Sequence, residues 1–281
     1  MALTALAQRR VAKTGLTIGL IIGAVFAAGP VLWMLSSSFK SNTQIFELPP
    51  RLITDTFSFD AYIAIFTNPE TMRFFLNSYI VAGSVTILTL LVAIQAAYAF
   101  SRFEFRGKRI LNVVIVSVQA VPPITLLIPY FGLMVALGLY NSYLGLILTY
   151  MVFTLPYAIL LMTGFLNTLP KDLDEAVLVD GGSSWTALWR VIVPLSVPGI
   201  VATAVYTFLL AWNEFLFAVV LIESWENRVL TMAIYSLMAE FVTDWNAMMA
   251  FSVLASLPLV VAFIFLQRYM VQGMTAGALT S

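Results

Sequence analysis

Six long apolar runs constrain this sequence more than any other feature does. A helix that crosses a lipid bilayer needs about 20 mostly apolar residues. Only helices and closed barrels satisfy their backbone hydrogen bonds in lipid. We therefore predict an all-α, polytopic membrane protein with six transmembrane helices in a single domain, residues 1–281. The predicted spans are residues 15–35, 78–100, 110–132, 144–166, 199–221 and 247–266.

Positively charged residues fall unequally on the two sides of the predicted bundle. With six spans both termini lie on one side, where ten Lys and Arg residues flank the spans, against four on the other side. Cytoplasmic loops carry the excess of Lys and Arg in membrane proteins. The asymmetry therefore predicts that both termini are cytoplasmic. The loop between spans four and five, residues 168–197, is then cytoplasmic, and the segments at residues 39–77 and 222–246 are extracytoplasmic.

Missing residue types exclude several classes of chemistry. The chain has no Cys and no His, which removes disulfides, Cys/His zinc sites, thiol nucleophiles and histidine acid–base catalysis. Fourteen Lys and Arg balance fourteen Asp and Glu, so no basic field favours nucleic acid. We predict no catalytic residue, no metal site and no nucleic-acid partner.

The third span contains a cluster of prolines. Pro122, Pro123 and Pro129 each remove a backbone hydrogen bond, so we predict a broken helix here. In lipid, protein or a wet cavity must satisfy the freed carbonyl groups, which favours a position of Pro122 and Pro123 beside a substrate pathway. A kink that serves packing alone is the alternative.

The fifth span contains the only charged residue in the six runs. Glu214 lies in the sequence Trp212-Asn213-Glu214-Phe215, and a carboxylate within an apolar span is costly enough to suggest a function. A cavity lined by Trp212, Asn213 and Glu214 would suit a polyhydroxylated solute, because it offers an aromatic face, an amide and a carboxylate. A helix end that water reaches is the alternative.

The predicted cytoplasmic loop contains two short helices. Pro170 suits a first helical position, and the acidic residues that follow it are favoured at the positive end of the helix dipole. Gly181, the first of two glycines, ends the first helix. One of the two serines that follow caps the second helix, and Pro194 ends it.

The first of these helices is suited to dock into a partner protein. Asp172, Asp174 and Glu175 form an acidic tip, and one apolar face contains Leu173, Ala176 and Val177. A short amphipathic helix of this kind fits a groove in a partner. A connector that rests on its own bundle is the alternative. The predicted docking residues are Asp172, Leu173, Glu175, Ala176, Val177, Asp180 and Gly181.

The same loop resembles the EAA loop of ABC-importer permeases. Its pattern is E-A-A, three residues, G, nine residues and I-x-L-P, and the chain matches it with three conservative replacements. The matching residues are Glu175-Ala176-Val177, Gly181 and Val191-Ile192-Val193-Pro194. Other stretches resemble the smaller membrane subunit of carbohydrate importers of the maltose and glycerol-phosphate type. These are Asn77-Ser78, Ala97-Tyr98-Ala99-Phe100-Ser101-Arg102-Phe103, Leu137-Gly138-Leu139-Tyr140-Asn141-Ser142, Trp212-Asn213-Glu214-Phe215 and Gln267-Arg268-Tyr269 with Gly273, Ala276, Gly277 and Ala278.

The resemblance implies a heteromeric importer in a bacterial or archaeal cell membrane. Two homologous membrane subunits would form the pathway, two ATPase subunits would drive it, and an extracytoplasmic solute-binding protein would deliver a sugar. The docking helix would then couple the ATPase to the pathway. ATP and Mg would bind the ATPase subunits, and this chain would bind no cofactor. The sequence itself lacks a G-x-x-x-x-G-K-[ST] phosphate loop, because Arg102 stands where Gly107-Lys108 would need the first Gly.

The residues leave three other functions open. The EAA-like loop is shared widely, so the solute of an ABC permease need not be a sugar and is alternatively a polyamine or a phosphate ester. A self-contained secondary transporter would show two related halves and usually more buried ionisable groups than Glu214. A membrane-bound enzyme would need an acid–base partner for Glu214, and no predicted span contains one.

Overall fold

The computed structural model describes the backbone of residues 2–54, 56–238 and 243–278, and the side chains of residues 13–267 within those ranges. The C-terminal part of the resemblance, from Arg268 onward, lies outside the described side chains. The described backbone is helical or irregular apart from one isolated antiparallel bridge, which confirms the all-α class. The helices are α1 (Ala2–Ser37), α2 (Asn42–Ile45), α3 (Asp60–Thr67), α4 (Pro69–Arg102), α5 (Lys108–Gln119), α6 (Leu127–Ala136), α7 (Tyr143–Leu166), α8 (Asp172–Val179), α9 (Ser184–Ala187), α10 (Val193–Leu195), α11 (Val197–Trp212), α12 (Leu216–Leu221), α13 (Leu230–Ser236) and α14 (Trp245–Ala278).

The lengths and apolar surfaces of these helices are those of a multi-pass membrane protein. Two bent helix pairs each count as one possible span: α5 with the segment Pro123–Ala136, bent by 98°, and Ser184–Leu195 with α11, bent by 78°. Within the residues that the structure describes, there are therefore four clear spans, or up to six with the bent pairs. The side of the membrane on which the termini lie stays a prediction. The four clear spans are Lys13–Ser37, Pro69–Arg102, Tyr143–Leu166 and Trp245–Gln267.

The proline cluster breaks the third span, as the sequence predicts. A 3-10 turn at Pro123–Leu126 separates α5 from α6. Pro123 is the first residue of that turn, where a missing N–H leaves no hydrogen bond unmade. The carbonyl oxygen of Pro122 accepts from both the backbone N–H and the hydroxyl of Thr125, at 3.0 and 2.7 Å. The Pro122 carbonyl group is therefore satisfied within the turn.

The fifth apolar run is not a single helix, which corrects the predicted span. α11 ends at Trp212, and residues 213–215 separate it from α12. The side-chain amide of Asn213 donates to the carbonyl oxygen of Leu209 at 2.8 Å, and the carboxylate of Glu214 accepts from the first turn of α12. These side chains replace helical backbone partners, so the helix breaks where they stand.

The chain divides into two compact units. One unit comprises residues 1–68 and 236–256, and the other comprises residues 69–235 and 257–281. The grouping of the whole chain into one transmembrane domain stays a prediction.

In the first unit, polar contacts hold α2 to the start of α14. The side chain of Asn42 donates to Asp244 Oδ1 at 3.1 Å and accepts from the backbone N–H of Asn246 at 3.0 Å. Lys40, directly after α1, is buried and donates to the carbonyl oxygen of Arg51. Burial lowers the pKa of the Lys40 ammonium group.

Three helices, α4, α7 and α11, pack against one another and form the centre of the second unit. Residues four apart form a ridge along a helix, and such ridges pack into the grooves of neighbouring helices. Within the ridge of α4, the hydroxyl oxygens of Thr89 and Thr154 of α7 lie 3.0 Å apart, so each satisfies the other. The buried ridge consists of Val81, Val85, Thr89, Ala93, Ala97 and Ser101.

Gly145→Ala should destabilise the second unit, and Gly164→Ala should not, although both glycines lie on α7. A Cβ at Gly145 would overlap the carbonyl oxygen of Leu139, whereas a Cβ at Gly164 meets no atom within 4 Å. Overpacking costs about 1–3 kcal/mol. Ala in place of an unstrained helical Gly stabilises by about 0.5–1 kcal/mol. Thermal unfolding of the detergent-purified variants measures both effects, and a Tm for Gly145→Ala equal to that of Gly164→Ala would contradict this packing.

Candidate functional site

α8, the predicted docking helix, ends in a Schellman motif. The N–H of Gly181 donates to the carbonyl oxygen of Leu178 at 3.1 Å, and the N–H of Gly182 donates to that of Val177 at 2.8 Å. Gly181 has φ +83°, a conformation that residues with a Cβ rarely adopt. A Cβ on Gly182 would lie 2.6 Å from Cγ1 of Val177. The two glycines therefore fix the direction in which the chain leaves α8.

Ser183 caps the second helix of the loop. Its hydroxyl oxygen accepts from the backbone N–H of Thr186 at 3.2 Å, so the first of the two candidate serines is the cap. The helical stretch then continues through α9, a π-helical turn at Leu188–Ile192 and α10. The sequence predicts that Pro194 ends this helix. In the structure Pro194 lies inside α10, and the helix ends one residue later, at Leu195. The wider π-helical turn has already shifted the hydrogen-bond register, so the missing N–H of proline is tolerated there.

The apolar face of α8 is turned toward the protein itself, which corrects part of the docking prediction. Leu173 packs against a buried cluster that includes Tyr98, Leu166 and Leu188, and Val177 is half-buried. Burial of this face removes apolar surface from water. Leu173 and Val177 therefore face the chain's own helices, and a part for them in docking stays a prediction.

The opposite face of α8 is exposed and contains most of the remaining predicted docking residues. Asp172, Glu175 and Ala176 are exposed, and Val179 is 86% exposed. Positions i, i+3, i+4 and i+7 share one helix face, so these four residues form a continuous surface. Ala176 therefore does not share the inward face of Leu173 and Val177, which corrects the predicted apolar face. Asp180, also exposed, follows at the end of the helix. We call Asp172, Glu175, Ala176 and Val179 the α8 exposed face.

Asp174 does not belong to the acidic tip, because it is buried. Its Oδ2 accepts from Arg102 Nε at 2.8 Å, and its Oδ1 accepts from the hydroxyl of Tyr98 at 2.7 Å. Only 5% of the Arg102 side chain and 12% of the Asp174 side chain are exposed. A buried charge needs a partner of opposite charge, and here each charge has one. The partners lie 72 residues apart in sequence, so no local pattern indicates the contact.

The Arg102 guanidinium also holds the end of α7. Its Nη1 donates to the carbonyl oxygen of Leu166, and its Nη2 donates to that of Leu169, both at 3.2 Å. Carbonyl groups at the end of a helix lack partners within the helix, so they are free to accept. One side chain of α4 therefore binds the end of α7, the connector that follows it, and α8. We call Asp174, Arg102 and Tyr98 the α8 anchor.

A second ion pair nearby in sequence is exposed and joins residues of one short segment. Lys108 Nζ lies 2.7 Å from Glu104 Oε1. The hydrogen bond from this ammonium group holds the pKa of Glu104 below its ordinary value. Exposed pairs of this kind contribute little to stability because water and salt screen them. The pair therefore serves as a control for the buried α8 anchor.

A cavity of about 180 Å³ brings two of the predicted pathway residues together. Glu214 and Pro123 both line it, together with Tyr150 and Phe153 of α7. A neighbouring cavity of about 290 Å³ shares Pro123 and Phe153 with it. The breaks in the third and fifth apolar runs therefore meet at one place, which sequence spacing alone does not show.

The carboxylate of Glu214 is satisfied within the protein. It accepts from the backbone N–H groups of Phe217 at 2.9 Å and Ala218 at 3.2 Å, which caps α12. The carbonyl oxygen of Glu214 accepts from the hydroxyl of Thr231 at 2.8 Å. A carboxylate is favoured at a helix N-terminus, where N–H groups lack partners. Glu214 thus combines a capping role with a place on the cavity wall.

Three other predicted pathway residues lie elsewhere, which corrects the cavity expected from the sequence. Trp212 is buried against Phe208 and Tyr79, with ring centroids 5.4 and 4.8 Å away. Asn213 and Pro122 are exposed. Trp212 and Asn213 directly precede Glu214 in the sequence, but neither lines the cavity that Glu214 lines.

Asn77 of α4 binds the α12–α13 loop, residues 222–229, and Ser78 binds the start of α13, roles that the sequence analysis does not reveal. Asn77 Nδ2 donates to the carbonyl oxygens of Glu226 and Arg228, both at 2.8 Å. The hydroxyl of Ser78 accepts from the first N–H of α13 at 2.7 Å. These contacts lie at the opposite end of α4 from the α8 anchor.

Asn141 binds the same loop from the turn before α7. It has φ +53°, and its Oδ1 accepts from the backbone N–H groups of Glu223 and Ser224 at 3.1 and 3.0 Å. Tyr143, two residues later, donates its hydroxyl to Asn77 Oδ1 at 2.6 Å. The residue pairs Asn77-Ser78 and Asn141-Ser142 belong to stretches that resemble the importer family. Apart from that resemblance, the sequence does not indicate their roles.

A multi-pass helical protein with a glycine-ended helix between two spans, and with broken spans meeting at an internal cavity, has the architecture of a transporter membrane subunit. The chain matches the family model for the "Binding-protein-dependent transport system inner membrane component" over residues 72–276. It belongs to this family.

Relatives of the chain match it over nearly their whole length. It is 35% identical to a diacetylchitobiose uptake system permease protein of Streptomyces coelicolor, over 92% of this chain and 86% of that protein. It is 34% identical to a trehalose/maltose transport system permease protein of Thermococcus litoralis, over 94% and 95%. It is 32% identical to a sulfoquinovosyl glycerol transport system permease protein of Agrobacterium fabrum, over 92% and 90%.

Solved structures show the same fold. A bacterial ABC transporter involved in the import of alginate matches with a TM-score of 0.81 and 21% identity, over 92% of this chain and 96% of that chain. A bacterial alginate ABC transporter in complex with a pentasaccharide-bound periplasmic protein matches with a TM-score of 0.68 and 15% identity, over 91% and 92%. The fold is therefore that of an ABC-transporter permease.

Glu214→Gln should lower transport or change solute preference while the complex still assembles. The amide keeps an oxygen that accepts from an N–H of α12, but the negative charge on the cavity wall is lost. Uptake into proteoliposomes measures the effect, with Glu47→Gln as a control because Glu47 is exposed in the other unit. Unchanged transport kinetics in Glu214→Gln would leave this residue with the capping role alone.

Proposed function

We propose that this chain is one membrane subunit of an ATP-driven importer and that it forms half of the pathway for a sugar or a sugar derivative. The observation that carries this proposal is the set of relatives at 32–35% identity over at least 92% of the chain. They are named for diacetylchitobiose, trehalose or maltose, and sulfoquinovosyl glycerol, all of which contain a sugar ring. A second, homologous membrane subunit would complete the pathway.

The cavity between the broken spans supports a place on that pathway. It offers the carboxylate of Glu214, the hydroxyl of Tyr150 and the ring of Phe153, which are groups that hydrogen-bond sugar hydroxyls or stack on sugar faces. Pathways through membrane proteins favour broken helices, because irregular backbone is tolerated beside a cavity. We therefore assign Glu214 and Pro123 to the pathway.

The α8 exposed face is the surface that we assign to the ATPase. Asp172 and Glu175 give it two carboxylates at the first turn, and Val179 gives it an exposed apolar group. A short helix with this surface suits a groove with basic and apolar walls. ATP and Mg would bind the ATPase subunits, and this chain supplies only the docking surface.

The two ends of α4 lie on opposite sides of the membrane in the orientation that we propose. With cytoplasmic termini, α8 lies on the cytoplasmic side and the α12–α13 loop lies on the outer side. The structure holds α8 at the Arg102 end of α4 and the loop at the Asn77 end. The outer loop is then available to the solute-binding protein that delivers the sugar. The chain itself resides in the cell membrane of a bacterium or an archaeon.

The purified chain alone should neither hydrolyse ATP nor transport, because it lacks a phosphate loop and forms half of a pathway. The complex isolated through a tag on this chain should contain a second permease and an ATPase, and sugars should stimulate its ATP hydrolysis. The measurement compares uptake of di- and oligosaccharides with uptake of a polyamine and a phosphate ester. Uptake by the single chain in liposomes would contradict the heteromeric assembly, and stimulation by the polyamine alone would contradict the sugar assignment.

Gly181→Val and Glu175→Lys should weaken ATPase association or abolish the response of hydrolysis to sugar. Val at φ +83° stores about 1–3 kcal/mol of strain at the end of α8. Lys in place of Glu175 reverses the charge on the α8 exposed face and opposes the helix dipole. Gly181→Asn, which tolerates positive φ, and Glu47→Lys, a charge reversal at an exposed residue of the other unit, are the matched controls. Normal association, stimulation and uptake in both test variants would make α8 a connector only.

A further inference from the structure

α4 is held at both ends by side chains that bind distant segments of the chain. The α8 anchor lies at its last residue, Arg102, and the contacts with the α12–α13 loop and the start of α13 lie at Asn77 and Ser78. α4 is unbroken between them and has no proline after its first residue. At about 1.5 Å per residue, Asn77 and Arg102 lie about 37 Å apart along the helix axis.

We infer that α4 is the strut that transmits displacement between α8 and the α12–α13 loop, with Asp174 and Asn77 as the positioning residues at its two ends. The inference rests on the proposed function, because it requires α8 to contact the ATPase. α7 and α11 are joined covalently to the loop that contains α8. α4 is then a third helix that moves with this loop.

At the α8 end, the hydrogen bonds fix α8 in orientation as well as in position. The two carboxylate oxygens of Asp174 accept from different side chains of α4, Arg102 and Tyr98. The remaining nitrogens of the same guanidinium bind carbonyl groups at the end of α7 and in the connector to α8. A planar guanidinium with several bonds in fixed directions resists rotation of α8 about its own axis. Displacement of α8 must therefore move the end of α4.

At the other end, α4 binds the backbone of the loop. Asn77 uses both hydrogens of its amide on two carbonyl oxygens, of Glu226 and Arg228, and its oxygen accepts from Tyr143. Ser78 accepts from the N–H of Leu230. Because the partners are backbone atoms, the path of the loop is fixed whatever its side chains contact. A shift of α4 along its axis must therefore displace the loop.

A spectroscopic probe on the loop tests this inference without knowledge of the solute. The chain has no Cys, so Glu226→Cys, at an exposed side chain, gives one labelling position for an environment-sensitive fluorophore in a complex with cysteine-free partner subunits. Addition of MgATP and vanadate should change the fluorescence. In Asp174→Asn, or in Asn77→Ala, that change should fall at least about fivefold, within the range of coupling between distant sites, while ATPase subunits and basal hydrolysis are retained.

Two comparisons separate transmission from local damage. If both residues act on one strut, the double variant Asp174→Asn with Asn77→Ala should lose no more of the response than the more severe single variant, whereas independent effects would multiply. Tyr98→Phe removes one hydrogen bond to Asp174 and keeps the ion pair, so it should fold and lose less of the response. Two control variants should respond as the unchanged protein does. Glu104→Gln breaks an exposed ion pair, and Gln95→Ala removes an amide whose hydrogen bond stays within α4.

Each outcome supports or overturns the strut. A full response in Asp174→Asn, multiplicative losses in the double variant, or no response in the unchanged complex would overturn it. Loss of the ATPase subunits from Asp174→Asn would also overturn it, because Asp174 would then serve docking. Absence of any ATPase from the unchanged complex would instead contradict the proposed function, so the two failures are distinguishable.

Discussion

In lipid, every backbone N–H and C=O group must find its partner within the protein, and this requirement applies to the two breaks within the apolar runs. Where the third span breaks, Thr125 binds the carbonyl group of Pro122. Where the fifth apolar run breaks, Asn213 binds the end of α11 and Glu214 caps α12. At both breaks, polar side chains thus bind backbone groups that lie beside the interruption. The two breaks adjoin, and Pro123 from one and Glu214 from the other line the same cavity.

Features that depend on local sequence were predictable, and features that depend on a distant partner were not. Four of the six apolar runs coincide with clear spans, the proline cluster predicts the break before α6, and Gly181 predicts the end of α8, because each effect acts within a few residues. Helical periodicity groups Leu173 with Val177 on one face, but it does not say whether that face is turned inward. The burial of Asp174 depends on Arg102, which local patterns do not connect to it.

Polar residues in the stretches that carry the family resemblance share a physical role in this structure. Asn77, Arg102 and Asn141 each bind backbone groups of a segment that is distant in sequence. Apolar side chains pack in a membrane without a hydrophobic force between helices, so packing alone specifies their arrangement weakly. Directional hydrogen bonds at the ends of the spans supply part of that specification. The resemblance therefore points to the contacts that join loops to the helical centre.

The ion pair in the α8 anchor stabilises the fold less than apolar packing would, but it fixes the orientation of α8. Removal of one partner of a buried pair costs about 3–5 kcal/mol, yet replacement of both by apolar groups is often neutral or stabilising. Stability alone would therefore be served by extending the apolar contacts that Leu173 already makes. Apolar contact has no preferred direction and permits α8 to slide or rotate on its support. The bonds between Arg102 and Asp174 have fixed directions, so they specify one orientation of α8, and a helix that must transmit force requires that property.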